Sequence, residues 1–118
     1  IISDGCIITH ADIRQSIIGI RSVIGPGSRL NRTIMMGGDD YESAESIADN
    51  AAAGRPALGV GSNTRIENAI IDKNARIGNN VVITPDGKPE NVDHEMYYIR
   101  DGVVIIPKSG VVPDGTVI

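Results

Sequence analysis

Aliphatic residues return along this chain at steps of five or six. One run is Ile2, Ile8, Ile13, Ile18, Ile24, Leu30 and Met36. A second is Val60, Ile66, Ile71, Ile77 and Ile83, and a third is Ile106, Val112 and Ile118. A strand buried on one face alternates with period two, and an amphipathic helix repeats near 3.6, so neither explains the spacing. A sustained hexapeptide period marks a parallel β-helix. Small residues often stand two places before the aliphatic one, as at Cys6, Ser16, Ser22, Ser28, Thr64, Ala75, Gly110 and Thr116. An ordinary antiparallel β-domain with fortuitous spacing is the competing reading. It does not explain why three separated blocks keep one register.

With three sides to a coil, the fifteen inward positions predict about five coils. At about 4.8 Å per coil the stack is roughly 20–25 Å tall. Gly25, Gly78, Gly115 and the pairs Pro26-Gly27 and Asp114-Gly115 suit tight corners. The composition agrees: 41% of residues are hydrophobic, yet there is no Phe or Trp and only three Tyr. A narrow stack of β-branched side chains does not need the large rings that fill a sandwich.

One domain over residues 1–118 is expected, with insertions at about 37–59 and 84–102. The first insertion has helix formers from about Glu42 to Ala53 and Gly54 as a stop signal. The second opens with turn residues and closes with Met96-Tyr97-Tyr98-Ile99, which suits a short strand. Loops this long in a compact domain are usually functional or contact a partner. The sequence begins at Ile1 with the repeat already under way, so a piece of a longer protein is expected.

Net charge is −4, which offers no general field for nucleic acid or an anionic membrane. There is no transmembrane-length apolar run and no signal peptide pattern. The single Cys6 excludes an internal disulfide, suggests a reducing compartment, and suits a buried structural place beside Ile8.

Lys73 and Lys108 stand out against this background. Each lies two residues after an inward isoleucine, Ile71 and Ile106, and those isoleucines are three sides apart. The two lysines therefore belong at one place on consecutive coils, with backbones about 5 Å apart. The equivalent place one coil earlier, two after Met36, is Gly38, which would leave room above the pair. Two ammonium groups about 4 Å apart repel by about 1 kcal/mol in water, and more near a low-dielectric surface. An anion between them reverses that sign, and a phosphorylated metabolite suits lysine well. The plainer reading is two surface lysines neutralised by Asp72 or Asp101.

The segments IIDKNARIG, SIIGIRSVIGPGSRLNRTIMMGGDDYE, YYIRDGVVIIPKSGVVPDGTVI and ISDGCII closely resemble the C-terminal domain of the ADP-glucose pyrophosphorylase (glucose-1-phosphate adenylyltransferase) family. The similarity runs over nearly the whole chain and is nearer the plant and cyanobacterial type. It implies an all-β, left-handed parallel β-helix, although parallel crossovers in general favour the other hand. It implies an enzyme that makes ADP-glucose and pyrophosphate from ATP and glucose 1-phosphate with magnesium, for starch or bacterial glycogen synthesis. Its N-terminal nucleotidyltransferase domain, Gly-rich loop and magnesium carboxylates have no counterpart here, so this piece alone is expected to be inactive, without catalytic residues or a cofactor of its own. The resemblance further implies a tetramer, homo- or hetero-oligomeric, in bacterial cytoplasm or plastid stroma. A phosphorylated effector is implied at the family's activator-linked lysines, which map onto Lys73 and Lys108. Arg14-Gln15 replaces a His-His pair usual in that branch, and the first insertion is unusually alanine-rich.

Other readings compete. His94 is the candidate general base for a hexapeptide-repeat acyltransferase, but no serine or carboxylate partner is evident. A scaffold without effector binding is a third reading. Two histidines, His10 and His94, and no cysteine cluster argue against structural zinc. Asp39-Asp40 suits either a cation or an exposed turn. Arg14, Arg21, Arg29, Arg32, Arg65 and Arg76 read mainly as outward polar residues, some of them within reach of an anion or a partner domain.

Overall fold

The computed structural model describes residues 1–118. Its elements are β1 (Ile7–Ile8), β2 (Asp12–Arg14), β3 (Ile17–Ile18), β4 (Val23–Ile24), β5 (Arg29–Met35), α1 (Ala44–Ala52), β6 (Gly59–Val60), β7 (Arg65–Ile71), β8 (Arg76–Ile77), β9 (Val82–Ile83), β10 (Val92–Asp93), β11 (Tyr98–Arg100), β12 (Val103–Ile106) and β13 (Val111–Val112). The short strands stack in parallel on three walls. The first wall carries Ile2, Ile18, Met35, Ile71 and Ile106 inward. The second carries Ile8, Ile24, Val60, Ile77 and Val112. The third carries Ile13, Leu30, Ile66, Ile83 and Ile118. Five coils result, as the period predicts.

Met35, at 4% exposure, takes the inward place expected for Met36, which is 44% exposed. The step from third to first wall is five residues in each of the first coils, from Ile13 to Ile18, Leu30 to Met35 and Ile66 to Ile71. A step of six across that corner overshoots by one residue and turns the side chain outward.

Left-handed backbone makes the corners. Asn63, Asn68, Asn74 and Asn80 all have positive φ there, as do His10, Gln15, Arg21, Arg32 and Ser109. Asparagine tolerates this region better than most residues, because its short amide bonds locally. Gly78 is required for a different reason: a Cβ there would stand 2.1 Å from Asp114 Oδ1 on the next coil. The small Ser and Thr residues also have bonding roles. Thr64 Oγ1 donates to Gly78 O at 2.7 Å and accepts from Val81 N–H at 3.2 Å, closing two groups at one corner of the next coil. Cys6 is partly buried against the core, its thiol donating to Gly19 O.

The first insertion leaves the first corner of the third coil. Ser43 caps α1 by accepting from Ser46 N–H at 3.1 Å, and Gly54 follows the helix with φ +77°. No α1 residue is buried. The second insertion ends in strands β10, β11 and β12, paired antiparallel. Ile99 on β11 is fully buried, so this segment belongs to the core. It also covers the outer edge of the first wall, where unpaired backbone groups would otherwise face solvent.

The outward face of the first wall is apolar from coil to coil. Ile17, Ile34, Ile70, Ile105 and Tyr98 stand side by side in register. Ile17, Ile34 and Tyr98 are more than 40% exposed. No helix is long and apolar enough to cross a membrane.

Candidate anion-binding site

The register that stacks Ile71 on Ile106 brings Lys73 and Lys108 to one corner of the fourth and fifth coils. Ser109 N–H donates to Lys73 O at 2.8 Å, which fixes the two backbones side by side. One coil back, Asn74 N–H donates to Gly37 O, and before that Gly38 N–H donates to Ile20 O, each at 3.0 Å. The residue equivalent to the lysines is therefore Gly37, not Gly38, the same one-residue shift as at Met35. Gly37 has φ +95°, and a Cβ on it would stand 2.1 Å from Ile20 O.

The carboxylates expected to neutralise the lysines, those of Asp72 and Asp101, form no ion pair with them. Asp72 Oδ1 accepts from the backbone N–H of Lys73 at 2.7 Å and so shapes the turn. Asp101 lies in the turn between β11 and β12, its N–H donating to Asn91 Oδ1. The counter-ion instead comes from the first insertion: Asp39 Oδ1 stands 3.3 Å from Lys73 Nζ. Asn74 clamps Asp39 from both sides, donating to Oδ2 at 2.9 Å and accepting from the Asp39 N–H at 3.0 Å. The Asn74 bond, then the Lys73 bond and charge, with a smaller pull from Lys108, hold the Asp39 carboxyl below its ordinary range. Lys108 is exposed and forms no ion pair. Beside this corner lies a depression of about 300 Å³ lined by Asp39, Asp40, Leu58, Asn74, Arg76 and Ser109.

Arg76 points outward from its wall beside inward Ile77, as expected, but the first insertion covers it. Its Nη1 lies 2.8 Å from Glu42 Oε2 and donates to Pro56 O at 3.0 Å. The Glu42 side chain is only 5% exposed, and its carboxylate also accepts from Ser46 Oγ, Asn50 Nδ2 and Leu58 N–H. Burial raises its pKa, but the Leu58 N–H, the Ser46 hydroxyl and Arg76 together bring it below the ordinary 4.5. This carboxylate fastens both ends of the insertion to the coil. The sequence signal was available: an acidic residue just before the N-cap, in an insertion that must return to an arginine-bearing wall. Tyr41 adds a second fastening, its hydroxyl donating to Gly5 O at 2.6 Å.

His94 stacks on Tyr97 at 4.6 Å, and its Nδ1 accepts from Met96 N–H. That nitrogen is used in shaping its loop, and no serine or carboxylate orients the ring, so the arrangement needed for a general base is not built. His10 is an exposed corner residue whose carbonyl accepts from Gly27 N–H. No three metal-ligating side chains come together. The lysine corner is suited to holding an anion by charge and hydrogen bonds, not to covalent chemistry.

Comparison with known proteins bears on this geometry. Residues 1–117 match the family described as the GLGC left-handed parallel beta-helix domain. The chain is also 46% identical over 119 aligned positions to the large subunit 1 of glucose-1-phosphate adenylyltransferase, chloroplastic/amyloplastic, of Zea mays. That alignment covers 99% of the chain and 23% of the maize protein, so the chain spans about a quarter of its relative's length.

Proposed function

The chain belongs to the family of GLGC left-handed parallel β-helix domains, and from that premise we propose that it serves as the C-terminal allosteric and assembly domain of a glucose-1-phosphate adenylyltransferase. In this reading the whole enzyme makes ADP-glucose from ATP and glucose 1-phosphate for starch or glycogen synthesis. Lys73 and Lys108 receive a phosphorylated metabolite. The single observation that carries this role is the register of β7 on β12, which sets two cations from distant segments at one corner of adjacent coils. A bound phosphate would be held by both ammonium groups, with the Ser109 hydroxyl at hand.

Effector binding regulates only if the effector favours one arrangement of the catalytic domain, typically by about 1–3 kcal/mol. The outward apolar stripe of the first wall supports close packing against a partner, which we take to be the enzyme's own N-terminal nucleotidyltransferase domain or another subunit of a tetramer. We assign the magnesium of the reaction to the catalytic domain. The chloroplastic/amyloplastic location of the maize relative supports the plastid for a chain of plant type. Bacterial cytoplasm is the counterpart for a bacterial chain.

The test is an activation assay of the full-length enzyme bearing Lys73→Ala or Lys108→Ala. Half-activation by a phosphorylated metabolite should need at least about tenfold more effector, equivalent to about 1.4 kcal/mol, while the rate without effector stays near wild type. Unchanged activation in both variants would leave a scaffold without an effector site.

A further inference from the structure

We propose that Asp39 is a tethered stand-in for the effector: its carboxylate occupies the anion place at the Lys73–Lys108 corner and has to leave when a phosphate group binds. The inference rests on the reading of that corner as the effector site. The first insertion emerges from the same corner, one coil before Lys73, because Gly37 is the coil equivalent of the two lysines. Two residues later Asp39 turns back onto Lys73 Nζ, and Asn74 holds it there through two bonds. Its neighbour Asp40 is exposed and makes no hydrogen bond or ion pair from its side chain, so the contact is particular to Asp39. The pair is open to water and hence readily exchanged. Two anions would repel at the space facing both lysines, so an arriving phosphate and the Asp39 carboxylate compete for it.

The exchange has a defined reach. Gly37 and Gly38 are buried, and Gly38 O accepts from Arg21 Nε at 2.9 Å. Beyond the turn, Tyr41 and Glu42 are fastened to Gly5 and Arg76. Only Asp39 and Asp40 lie between these anchors, and Asp39 is held there by Asn74 and Lys73 alone. Effector arrival therefore changes the shape of the insertion at one short turn and leaves its anchors in place. Such a device sets the threshold for binding: a phosphate group replaces the internal carboxylate, whereas a weaker anion does not.

The experiment titrates inorganic phosphate into the full-length protein by calorimetry, comparing wild type with Asp39→Asn, Asp40→Asn, Lys73→Ala and Lys108→Ala. Asp39→Asn keeps the size and the hydrogen bonds to Asn74 while removing the charge. It should tighten phosphate about threefold to tenfold, and Asp40→Asn by clearly less. In the wild type, phosphate should speed hydrogen exchange of the Asp39 amide, which donates to Asn74. If both lysine variants lose phosphate binding but Asp39→Asn binds no tighter than wild type, the stand-in role is wrong and the effector site stands. Equal tightening by Asp39→Asn and Asp40→Asn reduces the effect to net charge and also overturns the role. Phosphate binding that survives in both lysine variants, or that is absent from every variant, overturns the effector site itself and the proposal with it.

Discussion

Glu42 is the residue on which the first insertion depends. Its two oxygens accept from Arg76, Ser46, Asn50 and Leu58, and every one of these partners is a donor. Glu42→Gln places an amide N–H₂ against donors and leaves Arg76 without its counter-charge. Breaking a largely buried pair in this way should cost about 3 kcal/mol, read as a lower urea midpoint and as faster exchange of the Leu58 amide. The pH dependence follows in sign. Because the folded-state pKa is lowered, the stabilisation is complete above the ordinary carboxylate value of 4.5 and is lost as pH falls through the folded pKa. The Leu58 amide should lose protection on acidification in wild type and show little of that change in Glu42→Gln. The lysine pair was legible in the sequence because the coil period fixes residues that lie 35 positions apart in number. Asp39 as its counter-ion was not, because the insertion follows no period and its path depends on bonds such as Asn74 to Asp39.

At the scale of elements, the repeat reveals the walls and leaves the insertions to local signals. The helix expected over about 42–53 forms as Ala44–Ala52, because capping at Ser43 and the Gly54 stop are written locally. Ile99 is the opposite case. It has no place in the hexapeptide count, yet β11 folds back on β12 and seals it against Val104. Two substitutions separate these elements. Ile99→Ala should destabilise the whole fold by about 2–5 kcal/mol. Ala48→Gly in the unburied α1 should cost about 1 kcal/mol of local helix stability and leave the global unfolding midpoint nearly unchanged. Chemical denaturation followed by far-ultraviolet circular dichroism reads both. The one-residue error at Met36 also belongs here: equal steps of six hid a shorter corner between the third and first walls.

Across the whole molecule, the coil is closed unequally. Strand β11 covers the last first-wall strand, while Ile1, Ile2 and Ile7 of the first coil remain exposed. The apolar stripe from Ile17 to Tyr98 runs along the same wall that leads into the lysine corner. The proposed partner contact and the proposed effector site therefore share one wall, which would give an anion at the corner a short route to whatever packs on the stripe. Ile34→Glu, on the exposed side of that wall, should change the stability of the domain by less than about 1 kcal/mol. In the full-length enzyme it should weaken assembly, visible as a lower sedimentation coefficient. The central claim is that Lys73 and Lys108 grip one anion together. A crystal structure of the full-length protein with bound phosphate tests it most directly. The account predicts a single phosphate within about 3 Å of both Nζ atoms, the distance of a charge-assisted hydrogen bond, with Asp39 swung away from Lys73. Phosphate bound elsewhere, with Asp39 still on Lys73 and Lys108 pointing into solvent, would contradict it.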